Sequence, residues 1–288
     1  MKEKVLSLFC FLILSTLYVQ AQNTFNYELD HPNKTIELPS NLREISGISL
    51  CERQEYIWAV QDEEGMIFQI NIETGVLMDS IVFWKSGDYE GIEIVGKSIY
   101  VLKSSGTVYQ VEMKEGALKV EKFNDYLSKE DNTEGLGYNK MKNKLLVACK
   151  NGAEDERMIY SFDVETKALD SVYYMRIDKK HILEYLRAHP ELRKQKKLIQ
   201  KFEGNDFEFA PSAVAIHPLN EQVYVLSSVG KTLFVLDHQG NVLHIEKLDK
   251  AIHAQPEGIC FDFKGNLFIA NEGKKGAGKI YRFDVIQE

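Results

Sequence analysis

Apolar and polar positions alternate along most of the chain after residue 40, and the alternation arrives in repeated packets. A period of two marks a strand with one face buried. Each packet opens on a small residue in a short motif: Ser46-Gly47-Ile48, Glu90-Gly91-Ile92, Glu134-Gly135-Leu136, Ser212-Ala213-Val214 and Glu257-Gly258-Ile259. The small residues at 47, 91, 135, 213 and 258 lie 44, 44, 78 and 45 positions apart. About ten residues later comes a β-branched and aromatic run, at 56–61, 98–103, 144–149, 222–227 and 266–271. Its third position reads Trp58, Tyr100, Leu146, Tyr224 and Phe268. A third strand follows, with Phe68, Tyr109, Tyr160, Phe234 and Tyr281 in equivalent places. Segments 76–83, 117–123, 168–175 and 241–247 supply a fourth strand to the first four units. Four antiparallel strands repeated radially make a propeller blade. One blade cannot bury both faces of its sheet, so the pattern predicts an all-β, five-bladed propeller whose aromatic columns pack between blades.

Two irregularities carry information. The fifth unit ends near Ile286 without a fourth strand, which would leave an exposed edge. Residues 34–38, ahead of the first unit, are expected to pair near 279–285 and close the ring. The long spacing of 78 marks an insertion after the third blade, at about 176–206. Asp178 can cap a helix carrying Ile182, Leu183, Tyr185 and Leu186. Pro190 is expected to start a second helix through Leu192, Leu198 and Ile199. Lysine and arginine outnumber acids across this pair, which reads as a solvated hairpin resting on one blade or, functionally, as a docking surface or lid.

The N-terminus stands apart from the repeats. Lys2 and Lys4 precede an apolar run from Val5 to Val19, and Val19-Gln20-Ala21 ends it with small residues. This predicts a removed signal peptide at 1–21, a single propeller domain at 22–288, and a periplasmic or secreted location. Cys10 has no lipobox around it, and no later stretch reaches the about 20 apolar residues of a membrane span. The chain carries 35 basic and 43 acidic residues, a net charge of −8, and loses one further positive charge with Lys2, Glu3 and Lys4. That balance argues against nucleic acid and suits a cation. Cys51, Cys149 and Cys260 remain, an odd number without a CxxC pair; they read as thiols rather than as a disulfide frame or zinc site.

The repeat also gives the molecule a front. In a propeller, the innermost strand starts on the face where the loop between second and third strands emerges. Glu90, Glu134 and Glu257, with Ser46 and Ser212, are therefore expected to meet Asp62, Glu63, Lys103, Lys150, Asn151, Ser227, Ser228, Asn271 and Glu272 near the axis. Two like charges about 4 Å apart cost about 4 kcal/mol at an effective dielectric of roughly 20. Raised pKa values, Lys103 and Lys150, or a bound cation must offset that repulsion. Calcium takes carboxylate, amide and hydroxyl oxygens, which this face offers, and the metal candidates are Glu90, Glu134, Glu257, Glu272, Asn271 and Asp62. The alternative is that each glutamate binds backbone amides and ties neighbouring blades together. Lys103, Lys150 and His253 are candidate ligand contacts. No GxSxG, HExxH, P-loop or dinucleotide fingerprint occurs, so the chain reads as a binder rather than an enzyme. The rival reading is a calcium-dependent hydrolase of the phytase or lactonase kind, with the metal polarising a substrate oxygen.

Several stretches resemble the SdiA-regulated family of exported bacterial propellers: 43–48 (REISGI), 88–93 (DYEGIE), 133–136 (TEGL), 210–214 (APSAV), 255–259 (QPEGI), 265–268 (GNLF) and Asn271-Glu272. The resemblance covers most of residues 43–286. It implies a five-bladed fold distantly related to NHL-repeat propellers, a calcium site on the Glu-Gly face and no established catalysis. An exported, monomeric calcium-binding propeller that recognises a partner or small ligand is the resulting expectation. Ala213 in place of glycine, and the size of the helical insertion, depart from the family pattern.

Overall fold

A computed structural model of the chain describes residues 25–51, 54–192, 194–204 and 207–286; the expected signal peptide lies outside them. Blade one comprises β2 (Ile45–Leu50), β3 (Tyr56–Gln61), β4 (Met66–Asn71) and β5 (Leu77–Val82). Blade two comprises β6 (Tyr89–Val95), β7 (Ser98–Lys103), β8 (Val108–Lys114) and β9 (Ala117–Phe123). In blade three, β10 (Thr133–Asn139), β11 (Lys144–Cys149) and β12 (Glu156–Asp163) are followed by two short strands, β13 (Ala168–Leu169) and β14 (Met175–Asp178). Blade four runs β15 (Ala210–Ile216), β16 (Val223–Val229), β17 (Thr232–Leu236) and β18 (Val242–Lys247). Blade five has β19 (Pro256–Phe261), β20 (Leu267–Asn271) and β21 (Lys279–Phe283), completed by β1 (Lys34–Glu37).

The inner strands touch in cyclic order, β2 to β6 to β10 to β15 to β19 and back to β2. The expected closure forms: β1 pairs antiparallel with β21, Lys34 opposite Arg282 and Glu37 opposite Lys279. Burial of Ile36 and Leu38 in the apolar cluster between blades five and one stabilises that seam. Five such clusters occupy the five blade interfaces among the described residues, with Tyr100, Phe68, Phe234 and Phe268 fully buried in them as the aromatic columns predicted. Cys149 and Cys260 are buried free thiols and Cys51 is partly exposed.

The repeated glycine has a steric cause. A Cβ on Gly91 would lie 2.5 Å from Leu136 Cβ, and one on Gly47 would lie 2.7 Å from Gly91 Cα. At these positions neighbouring inner strands approach too closely for a side chain, whereas blade four admits the buried methyl of Ala213.

Blade three and the insertion after it depart from expectation in three ways. The predicted continuous strand at 168–175 is split: the Asp170 and Tyr174 amides still donate to the Ser161 and Ile159 carbonyls of β12, but residues 171–173 bulge away between them before β14 pairs opposite Glu156–Ile159. Asp170 anchors the excursion by accepting hydrogen bonds from Lys144 Nζ (2.6 Å) and Ser161 Oγ (2.5 Å). Helix α1 (Lys179–Ala188) starts as predicted, with Asp178 Oδ1 accepting from the His181 amide at 2.9 Å. Helix α2 (Gln195–Phe202) starts five residues later than Pro190. Proline follows the C-cap residue His189 and so ends α1 instead of opening α2. Nor is the hairpin merely solvated: Ile182, Leu186, Leu198 and Phe202 are fully buried against blade four, beside Phe209 stacked on Phe234 at 4.3 Å.

Candidate functional site on the axial face

Every inner strand is bulged at the repeat motif. Tyr89 pairs with Lys103 and Gly91 with Leu102, so Glu90 is the extra residue left unpaired between them. Glu134 stands alike between the pairs Thr133–Cys149 and Gly135–Ala148, Ser212 between Pro211–Ser227 and Ala213–Leu226, and Glu257 between Pro256–Asn271 and Gly258–Ala270. In blade one the irregularity spans Ser46 and Gly47. A bulge re-aims a side chain out of the sheet's alternation. The glutamate-glycine signature is thus a conformational device as well as a chemical one, and sequence spacing alone did not reveal it.

These glutamates feel one another. Burial pushes Glu90 up to about 10, with the charges of Glu134 and Glu257 and a hydrogen bond to Asp88 adding to the effect. Burial likewise raises Glu257 to about 8, helped by Glu134 and Glu272 and opposed by Lys150 and a hydrogen bond from Ser228. Glu134 is raised by burial, against the pull of Lys150, whose Nζ lies 2.8 Å from its Oε1; Asn132 donates to the same oxygen at 3.0 Å. Desolvation disfavours the Lys150 ammonium, yet Glu134, Glu257 and Glu90 more than offset it and hold its pKa above the usual lysine range.

A second acidic group lies where blade five meets blade one. Asp62 is raised to about 6 by burial and by Glu44, and Glu272 is raised by burial and by Asp62. Between the two acidic groups Asn271 ends β20 at 3% exposure, and neither atom of its amide has a hydrogen-bond partner. Asp62 Oδ1 is buried without a partner too. Buried polar atoms ordinarily find partners, so these two residues hold unused bonding capacity on this face.

The candidate ligand contacts separate. Lys150 joins the carboxylates, whereas Lys103 Nζ sits 5.9 Å from the centre of the Tyr89 ring. His253 is drawn away from the face: it is fully buried, its Nε2 donates to the Leu29 carbonyl at 2.9 Å, and its ring packs on Tyr281 and Phe283. Burial lowers its pKa, so it serves as a neutral clamp on the N-terminal segment, out of a ligand's reach. Among the described residues no group of three or more His, Cys, Asp or Glu side chains is placed to hold a metal ion. The three glutamates therefore do not form a ready-made chelate.

The SdiA-regulated family profile matches residues 20–275, and the chain belongs to that family. A search of the curated proteins finds no match. Among solved structures, the chain is similar to the Myxococcus xanthus glutaminyl cyclase, with 13% identity and a TM-score of 0.57 over 89% of this chain and 97% of the other. A gluconolactonase from Xanthomonas campestris gives 13% identity and a TM-score of 0.53 over 83% and 72%. The PQQ-bound aldose sugar dehydrogenase of Streptomyces coelicolor gives 10% and 0.52 over 88% and 97%. At such identities the likeness is one of fold. No described helix is long and apolar enough to cross a membrane.

Proposed function

We propose that this protein is an exported propeller that binds calcium on its axial face and uses it to recognise a small ligand or partner, without catalysis of its own. The reading rests on Asn271. Its carbonyl oxygen and Asp62 Oδ1 are buried oxygens without protein partners, the donor type a hard cation prefers. Asn271, Asp62 and Glu272 are the residues that would hold the ion, and Glu90, Glu134 and Glu257 would release protons as it binds and then supply the surrounding negative potential. With no three carboxylates placed to chelate, amide and water oxygens complete the set. When bound, the ion supplies positive charge that relieves the carboxylate repulsion and attracts an anionic or hydroxylated ligand. The Asn271 amide nitrogen would then donate to that ligand.

The test is thermal unfolding of chelator-treated protein with and without calcium. A ligand that binds only the folded state at about 100 times its Kd adds about 2.7 kcal/mol, and a rise in Tm of about 5 °C or more is expected. Asn271→Leu should lose the calcium response while remaining at least as stable as the metal-free wild type, because its unpaired amide is gone. No calcium response in the wild type, or a response in Asn271→Leu as large as the wild type's, would remove the metal reading. Turnover of a lactone or phosphate ester that disappears in Glu134→Gln would replace recognition by catalysis.

A further inference from the structure

A separate group of like charges lies at the rim of this face, where α2 meets blade four. A cleft of about 470 Å³ is lined by Lys197, Lys201, Lys231 and Lys247, with Glu208 as the one acid among its lining residues. The lysines come from different places in the chain. Lys197 and Lys201 ride on α2, Lys231 sits in the two-residue turn between β16 and β17, and Lys247 ends β18. That turn has Gly230 at φ 82° and Lys231 at φ 53°, both in the left-handed region a tight hairpin requires.

Three of the four ammonium groups are held in place, while Lys197 is exposed. Lys231 Nζ donates to the Ser228 carbonyl at 2.8 Å, and Lys247 Nζ donates to the carbonyls of Gly230 and of Lys231, the latter at 3.1 Å. Lys201 is 13% exposed and pairs with Glu208 at 2.7 Å. An ammonium has three N–H donors, so these bonds leave donors on each group. Burial, followed by the charges of Lys201, Lys197, Lys194 and Lys231, lowers Lys247 to about 8. Lys231 is lowered by burial and by Lys274. Lys201 lies in the last turn of α2, where the helix dipole favours a cation, but Lys231 and Lys247 have no such reason to be there.

We propose that this cleft binds a small molecule carrying a phosphate or sulfate group. Repulsion among fixed ammonium groups in a chain of net charge −8 is relieved by an anion. Several point-like ammonium groups converging from different elements suit a multiply charged tetrahedral oxyanion, whose oxygens can accept from several of them at once. The volume admits a group larger than the free ion, such as a sugar ester. This inference stands independently of calcium binding.

The experiment is calorimetric titration of chelator-treated protein with inorganic phosphate and with glucose 6-phosphate, at about 150 mM salt to screen diffuse attraction. Saturable binding of the ester is expected, weakened about tenfold or more in Lys231→Gln/Lys247→Gln and unchanged in Lys119→Gln on the outer edge of blade two. Loss of binding to the same extent in Lys119→Gln, or no saturable heat with either probe, would overturn the proposal. So would binding only to phosphatidylglycerol-containing vesicles, which would assign the lysines to a membrane headgroup surface. Because calcium is absent throughout, failure here and failure of the calcium reading are distinguishable.

Discussion

Burial acts with opposite sign on the two charge clusters of the axial face. At the centre it pushes Glu90 and Glu257 up and favours their neutral acids. At the rim it pushes Lys247 and Lys231 down and favours their neutral amines. The central cluster has one built-in counterion, Lys150, held 2.8 Å from Glu134. The rim cluster has one as well, Glu208 beside Lys201. In both, one directly paired opposite charge faces a larger set of like ones, and Lys231 also feels the more distant charges of Glu257 and Glu272. The fold holds these groups in place because the bulges and the hairpin turn are stabilised elsewhere, by blade packing. This excess of like charge in each cluster is the imbalance on which both proposed ligands rest.

The sharpest way to break the comparison is to remove the central counterion. Lys150→Met leaves Glu134 buried and unpaired; with Lys150 partly exposed, a loss of about 2 kcal/mol in urea unfolding is expected, below the range for fully buried pairs. The double variant with Glu134→Gln should recover most of it. A full loss persisting in the double variant would show that Lys150 acts through packing.

The pH dependence comes next. Glu257 has a folded-state pKa of about 8 against 4.5 when unexposed to the fold, so the folded state binds more protons between those values. Stability of the metal-free protein should fall as pH rises from about 5 to about 8, by roughly 1 kcal/mol or more from this group, and Glu257→Gln should flatten the slope. Lys247 gives the reverse sign. Its folded pKa of about 8 lies below 10.5, so the folded state binds fewer protons there and stability contributed by this group rises with pH from about 8 to about 10. Glu90 opposes that trend in the same window, so the difference between wild type and Lys247→Gln is the quantity to follow.

The smallest effect is expected from Lys247→Gln at neutral pH. Losing two bonds to carbonyls offsets the relief of repulsion, leaving a change within about 0.5 kcal/mol. A large stabilisation would mean that the rim lysines are more strongly opposed than their exposure suggests.

Much of the ring was legible in the residue pattern because a strand's period of two and the 44-residue repeat are local properties. The start of β1 at Lys34, its partner strand, and the cap at Asp178 followed from the same local rules. The break at 171–173 did not, since the alternation continues through it and only the tertiary contacts of Asp170 and Tyr174 on either side reveal the departure. Pro190 is compatible with either end of a helix, and the Tyr185 carbonyl accepting from the His189 amide decided which. The convergence of Glu90, Glu134 and Glu257 could be read from the register. His253 could not be placed, because its burial depends on Leu29, 224 residues away in sequence.

Repetition and alternation along the chain suffice for a five-bladed ring with an acidic front, since they set which faces must be buried against which. The contents of that front depend on how distant segments pack. The unpaired Asn271 amide, the bulge that turns out each glutamate, and the meeting of Lys197 and Lys201 with Lys231 and Lys247 all depend on contacts between distant segments. Such contacts are fixed by blade packing and by the docking of α2, and leave no periodic trace along the chain.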